Sequence, residues 1–371
     1  MKNIIGLFFC FLVVHGFGQE ISYADDIDQT KPEVMEVLAL FENYLHSNPA
    51  NLKSSPYWNK AEQEKHRQFD FLESEFQPSL YMGLATKVLS IDLNENSGFI
   101  KVSYGRIVKQ DSSGLLAIVN YGLKREDGSY KLCNALSINK EKWSCTSLGL
   151  VDFYYPPYHQ FDTLKAKKLL AFVDETCRNF KVPKKAFEYY LADTYLEIQR
   201  LKGFDYAMGE KYSSGPSGKA SEAKVYCGGL GEYYPHEVFH VLVDPQFPNR
   251  HFWASEGIAT LLGGSRGESL DWHLIKAHHF LLAHPEIDLN HMLELRNMDL
   301  QTAFHYVLGG LIARRLYQTG GWEMLIALMQ SGNTDADYYQ AIEDFLCVKQ
   351  ANLNAYIRKE LALEVSHLSE E

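Results

Sequence analysis

The chain is poor in cysteine, in clustered positive charge and in long apolar runs, and each shortage excludes a class of protein. Six cysteines in 371 residues cannot form a dense disulfide framework, and none has the Cys-x-x-Cys spacing of a thiolate zinc site. The net charge is -11 and the lysines and arginines are scattered, which excludes an electrostatic surface for nucleic acid. Beyond the N-terminus, no apolar run is long enough to cross a membrane.

The first twenty residues, MKNIIGLFFCFLVVHGFGQE, have the pattern of a secretory signal peptide. Lys2 precedes an apolar run, Ile4–Val14, that is too short to span a bilayer. The run ends before a Gly-Phe-Gly sequence, which is a small-x-small cleavage pattern. We therefore predict a signal peptide at residues 1–18 and an exported protein, periplasmic or extracellular. The alternative is a buried N-terminal helix or a retained anchor.

Helical and strand patterns follow one another along the chain and predict an α+β fold of two domains. After the signal peptide, KPEVMEVLALFENYLHSN has apolar residues at helical spacing. Between residues 84 and 155, five alternating runs separated by turn residues predict an antiparallel meander. We predict a small helix-plus-antiparallel-sheet domain at 19–157, with a cystatin-like or NTF2-like layout. A mostly helical domain is predicted at 158–371, after a linker at Pro156-Pro157.

Two cysteines, Cys133 and Cys145, lie on the last two of these predicted strands, around a turn near NKEK. If the turn is centred between them, the two thiols face each other across a hairpin and form a disulfide. A register slip of one residue would instead place them on opposite faces.

The segment YYPHEVFHVLVD contains the spacing His-Glu-x-x-His. Pro235 suits the first turn of a helix, on which His236 and His240 project to the same side. Two neutral imidazoles placed in this way can bind one zinc ion. Glu237 is turned away by about 100° and can reach a water molecule on the metal without binding the metal itself. The spacing also occurs by chance, so it needs support from elsewhere in the chain.

A second segment, HFWASEGIATLLGG, carries Glu256 followed by Gly257 and Ala259, small residues that would let this helix pack closely on the motif helix. Together with His-Glu-x-x-His, its SEGIA stretch resembles the gluzincin metallopeptidases of the peptidase MA clan, which include thermolysin and the aminopeptidase N family. The aminopeptidases typically have Asn-Glu-Gly-Phe-Ala here. The resemblance implies a gluzincin-like catalytic domain in which Glu256 completes a Zn²⁺ site with His236 and His240.

A third segment, AFHYVLGGLIARRLY, contains the pattern Tyr306-x-x-Gly309. It resembles the Tyr-x-Lys-Gly element of the aminopeptidase N family, whose tyrosine donates a hydrogen bond to the oxyanion, although Leu308 stands at the lysine position. The resemblance implies the same role for Tyr306, and the alternative is an aromatic residue packed in the core. The Gly-x-Met-Glu-Asn element that binds a free amine in the aminopeptidases has no recognisable counterpart, so endopeptidase and exopeptidase action both stay open.

Taken together, the segments predict an exported zinc metallopeptidase that acts on a peptide or protein substrate, with Glu237 as general base. One alternative is a catalytically silent peptide- or protein-binding protein that retains the fold, and another is a zinc hydrolase of a non-peptide amide. Asp244 lies four residues after His240 on the same helical face, where it either supports the site as a hydrogen-bond acceptor or faces water. Neither the oligomeric state nor the cleavage preference follows from the sequence.

Overall fold

The structure is a computed structural model that describes residues 21–47, 53–66, 69–72, 85–109, 112–208 and 215–368. The predicted signal peptide at residues 1–18 lies outside the described residues. Of the helices that are described, none is both long and apolar enough to span a bilayer. Among the described residues, those up to Ile138 together with residues 201–208 form one compact unit, and residues 139–200 and 215–368 form a second.

Both units combine helices and strands, which confirms the predicted α+β class. The described strands are β1 (Ile21–Tyr23), β2 (Ala85–Leu93), β3 (Ser97–Lys109), β4 (Ser112–Glu126), β5 (Ser129–Asn134), β6 (Ser144–Leu148), β7 (Val151–Tyr155), β8 (Phe187–Ala192), β9 (Phe204–Ala207), β10 (Ser217–Ser221) and β11 (Lys224–Gly228). The described α-helices are α1 (Pro32–His46), α2 (Lys60–Lys65), α3 (Ala135–Asn139), α4 (Thr163–Asn179), α5 (Tyr195–Lys202), α6 (Pro235–Leu242), α7 (Phe252–Gly263), α8 (Leu270–Ala283), α9 (Phe304–Gln330), α10 (Asp335–Leu346) and α11 (Leu353–Leu368).

In the first unit the strand order is β1-β2-β3-β4-β5, and β9 also pairs with β4. Every pair is antiparallel except β1 with β2, so strands β2 to β5 form an antiparallel meander from the first four of the five predicted runs. Alternate residues of β3, Ile100, Val102 and Tyr104, are fully buried, as expected for a sheet with one face on a core. Helix α1 packs against this face, where the rings of Phe41 and Tyr121 lie 5.3 Å apart. The cystatin-like or NTF2-like layout stays a prediction.

The second unit contains a five-stranded sheet in the order β10-β11-β8-β7-β6. Its inner pairs, β11 with β8 and β8 with β7, are parallel, and its two outer pairs are antiparallel. Strand β11 is buried along its whole length, as is usual for a parallel strand covered on both faces. Helix α4 runs between β7 and β8, since a parallel pair needs a crossover connection. Helices make up most of the regular structure of this second unit, as predicted, and the five-stranded sheet is packed with them.

The predicted domain boundary after residue 157 is wrong. The run KWSCTSLGLVDFYY forms two strands, β6 and β7, and both belong to the second sheet, so the boundary lies between Ile138 and Asn139.

The predicted disulfide between Cys133 and Cys145 is wrong for the same reason. Cys133 is buried in β5 of the first sheet, Cys145 is exposed on β6 of the second, and no disulfide joins them. The intervening residues form helix α3 and a 3-10 turn instead of a hairpin turn.

Candidate metal centre

Helix α6 carries the His-Glu-x-x-His motif and is buried on almost every side. It begins at Pro235, a residue that is preorganised for the first helical turn and has no N–H to leave unpaired. His236 and His240 lie one turn apart, with ring centroids separated by 5.0 Å. The ring of Tyr234 stacks on that of His236 with centroids 5.9 Å apart. The motif therefore lies on a short helix whose histidines are restrained by packing.

Helix α7 carries Glu256 and approaches two other helices at glycines. A methyl group at Gly263 would lie 2.4 Å from the backbone nitrogen of His236, so this end of α7 packs directly on the motif helix. A methyl group at Gly257 would lie 2.3 Å from the carbonyl carbon of Gly309 on α9. Gly257 was expected to face the motif helix, and that expectation is wrong. The close approach to α6 is made six residues later, at Gly263.

The side chains of His236, His240 and Glu256 meet at one point, with one ligand atom of each residue within 4.8 Å of the others. Glu256 Oε2 lies 3.2 Å from His236 Nε2 and 3.6 Å from His240 Nε2. Two ligand atoms of a tetrahedral zinc site are separated by about 3.3 Å when the metal–ligand bonds are about 2.0 Å long. The three side chains thus have the spacing that such a site requires.

The outer nitrogen of each imidazole faces an acceptor. His236 Nδ1 lies 2.7 Å from the carbonyl oxygen of Gly264. His240 Nδ1 lies 3.0 Å from Asp244 Oδ2 and 3.1 Å from Ser255 Oγ. These acceptors place a hydrogen on each Nδ1, and both Nε2 atoms are directed toward Glu256. Of the two possibilities for Asp244, the structure shows hydrogen bonding to His240.

Asp244 is itself held by two donors. Ser255 Oγ donates to Asp244 Oδ1 at 2.7 Å, and Arg250 Nη2 donates to Oδ2 at 2.5 Å. The Arg250 Nη1 group also donates to the carbonyl oxygen of Asp244 at 3.2 Å. Neither Ser255 nor Arg250 was identified from the sequence. Ser255 immediately precedes Glu256, and that adjacency is the one signal that points to it.

The donor set fits zinc. Two imidazole nitrogens and one carboxylate oxygen are ligands that zinc binds in catalytic sites. His240 Nε2 is buried and has no hydrogen-bond partner among the described residues, which is costly for a buried polar atom unless something else satisfies it. A cation at the meeting point of the three side chains would do so.

Glu237 lies beside these three residues with only 8% of its surface exposed. Burial raises the pKa of its carboxyl group, and the neighbouring His236 and His240 oppose that rise only in part. The edge strand β10 covers the side of α6 that carries Glu237, since a methyl group at Gly218 would lie 2.8 Å from Glu237 Cγ. The backbone N–H of Ala220 on the same strand also acts on the carboxylate. Glu237 is thus a carboxylate shielded from bulk water.

Tyr306, at the start of α9, lies beside His236 at the candidate metal centre. Its ring packs edge-on against His236, with centroids 5.6 Å apart, and lies 4.2 Å from the ring of His305. Burial raises the pKa of the Tyr306 phenol, and the Glu256 carboxylate raises it further, so the hydroxyl keeps its proton at neutral pH. Burial also lowers the pKa of His305 to about 4, which leaves that ring neutral. The phenol is thus available as a hydrogen-bond donor.

Searches with the sequence against protein-family models and against curated proteins give no match. Among solved structures, similarity is found to an M1 zinc metallopeptidase from Deinococcus radiodurans bound to the substrate Tyr-Ser-Ala, and to a two-domain M1 zinc metallopeptidase bound to L-tryptophan. In both cases the identity is 12% and the TM-score 0.31, and the match covers 76% of this chain but 64% of the other. A likeness of this degree supports no statement about function, which has to be inferred from the centre itself.

Proposed function

We propose that the protein is an exported zinc-dependent peptidase. The observation that carries the proposal is the meeting of His236, His240 and Glu256 within 4.8 Å, with the shielded carboxylate of Glu237 beside them. Three protein ligands leave one position of a tetrahedral site open, as catalytic zinc sites require. Export is supported by the signal-peptide pattern at residues 1–18.

Zinc, when bound, supplies Lewis acidity and lowers the pKa of a water molecule. Glu237 would accept a proton from the water that attacks the scissile carbonyl, and would then deliver the proton to the nitrogen of the leaving amine. Tyr306 donates a hydrogen bond to the carbonyl oxygen as negative charge develops there. Asp244 and the Gly264 carbonyl hold the two imidazoles so that both present Nε2 on the same side.

The test is hydrolysis of a mixed peptide library by the purified, zinc-loaded chain, with and without a chelator. We expect cleavage that the chelator abolishes and zinc restores. Glu237→Gln should retain its zinc and lose turnover, because this change removes the base and leaves the three ligands in place. Cleavage by Glu237→Gln at the wild-type rate would overturn the proposed mechanism.

The same assay separates a peptidase from its two alternatives. A catalytically silent binding protein would retain peptides from the library without cleaving them. A hydrolase of non-peptide amides would leave the library intact but would cleave small aryl amides in a zinc-dependent manner. Only products with new peptide termini support the proposal.

A further inference from the structure

A tight turn connects α7 to α8 beside the metal centre. Ser265 and Glu268 pair through both backbone hydrogen bonds, at 2.9 and 3.0 Å, which leaves Arg266 and Gly267 as a two-residue tip. Both tip residues have positive φ, 51° and 88°. Such a turn favours glycine or asparagine at these positions, and a long side chain at φ 51° is uncommon. An arginine kept in an unfavourable backbone conformation indicates that its side chain has a role at this position.

This turn is attached to the centre at several points. The carbonyl oxygen of Gly264 faces His236 Nδ1 at 2.7 Å, and that of Ser265 faces Nε2 of the fully buried His273 at 3.1 Å. The Ser265 side chain also acts on the phenol of Tyr306 and counters part of the rise in its pKa. The tip of the turn is therefore held in a defined position relative to a candidate ligand and to the candidate oxyanion donor.

The positive charge of Arg266 acts on two groups of the centre, His305 and Tyr306. Its charge adds to the effect of burial in lowering the pKa of His305, and it opposes the rise in the pKa of Tyr306. Arg266 is half-buried, and among the described residues no carboxylate forms an ion pair with it. The other half-buried arginines of the second unit are bound to carboxylates or to backbone carbonyls; they are Arg250, Arg314, Arg315 and Arg358.

A cation at this place has an electrostatic consequence for the substrate. The carboxylate of Glu237 repels an anionic group that approaches the scissile bond, and the whole chain carries a net charge of -11. Guanidinium is planar and binds carboxylates through two parallel hydrogen bonds. Arg266, which forms no ion pair among the described residues, is thus available to bind a substrate carboxylate.

We propose that Arg266 binds a carboxylate of the substrate, and, since this rests on the peptidase function proposed above, that the substrates are peptides with a free carboxylate close to the scissile bond. A C-terminal carboxylate and an acidic side chain have the same chemistry. The test therefore includes one arm for each.

Binding is measured in the Glu237→Gln background, so that the result does not depend on turnover. The zinc-loaded protein is offered N-acetylated tetrapeptide libraries, and the retained peptides are quantified by mass spectrometry. The first library ends in a free carboxylate, the second in an amide, and the third in an amide with aspartate at the last position. We expect the free-acid library to bind about 10- to 100-fold more tightly than the amide library.

Arg266→Met, which removes the charge and keeps the length, should abolish this preference, and Arg266→Lys should retain part of it. Arg266→Gly is the second test variant, because glycine adopts φ 51° without strain and preserves the turn. Arg296→Met, at an exposed arginine outside the turn, is the matched control and should keep the full preference.

Equal binding of acid and amide libraries, or a preference that survives in both Arg266→Met and Arg266→Gly, would overturn the inference. Binding of the aspartate library as tight as that of the free-acid library would support a carboxylate site that accepts either source. None of these results decides the peptidase function, which depends separately on zinc-dependent cleavage by the wild-type chain.

Discussion

The two histidines of the centre are held by different means. His236 Nδ1 faces a backbone carbonyl, that of Gly264, whereas His240 Nδ1 faces the side chains of Asp244 and Ser255. A backbone acceptor cannot be deleted by changing its own side chain, so its position depends on how the turn after α7 folds. A side-chain acceptor can be removed alone. One imidazole is therefore oriented by the fold and the other by individual residues, and substitutions can separate the two.

The largest effect is expected at Glu256, which lies between both histidines. Glu256→Ala removes a ligand, and we expect zinc affinity to fall by more than about 100-fold, since loss of a residue that merely orients a ligand already costs about 10- to 100-fold. Zinc affinity is measured by titration against a competing chelator. Glu294→Ala, at an exposed glutamate, is the control and should bind zinc normally. Unchanged affinity in Glu256→Ala would exclude it as a ligand.

Tyr306→Phe tests the His236 side of the centre without altering the packing of the ring. Loss of the hydroxyl should lower turnover about 100-fold or more, because the hydrogen bond it donates is strongest in the transition state. Zinc content and melting temperature should not change. Full activity in Tyr306→Phe would assign the residue to the core and leave another group, such as His305, to act on the oxyanion.

Asp244→Ala tests the side-chain support of His240. We expect zinc affinity to fall by about 10- to 100-fold, because the imidazole loses the acceptor that orients it. Asp271→Ala is a matched control, since Asp271 pairs with Arg314 at 2.6 Å much as Asp244 pairs with Arg250. If both variants lost zinc affinity to the same extent, the loss would reflect a missing ion pair rather than orientation of His240.

Gly263→Ala tests the close packing of α7 against the backbone at His236. The added methyl group would lie 2.4 Å from the His236 nitrogen, so α6 and α7 must separate slightly, which should lower the free energy of unfolding by about 1–3 kcal/mol. Zinc affinity should fall less than in Asp244→Ala, because both imidazoles keep their acceptors. Gly215→Ala is the control, since a methyl group there meets nothing within 4 Å. Equal denaturation midpoints for the two variants would contradict the close packing.

The parts of this centre that could be predicted from the sequence are those that depend on local geometry. Helical spacing alone brings His236 and His240 to one side of α6, and the structure brings Glu256 to them as the gluzincin resemblance implied. Their roles as ligands stay a prediction. The Gly264 carbonyl could not be predicted, because a backbone acceptor has no residue signature and its position results from contacts between distant segments.

The two errors in the fold have a related cause. Alternation of apolar and polar residues identifies a strand but does not say which strand it pairs with. The run from residue 142 to 155 was assigned to the neighbouring meander, although β7 pairs in parallel with β8 beyond helix α4. The disulfide between Cys133 and Cys145 depended on that assignment. Local patterns identified strands β2 to β5, although residues 135–142 form helix α3 and a 3-10 helix in place of a strand end and a turn, and long-range pairing decided the domains.

The contact between Gly257 and Gly309 matters for anyone who wishes to transfer this centre to another scaffold. Gly257 directly follows Glu256, and Gly309 lies one helical turn after Tyr306, so a contact between two backbones sets the spacing between the third candidate ligand and the candidate oxyanion donor. Grafting the His-Glu-x-x-His helix alone would not reproduce that spacing. The smallest transplantable piece consists of α6, α7 and the first turns of α9, moved together with both glycines.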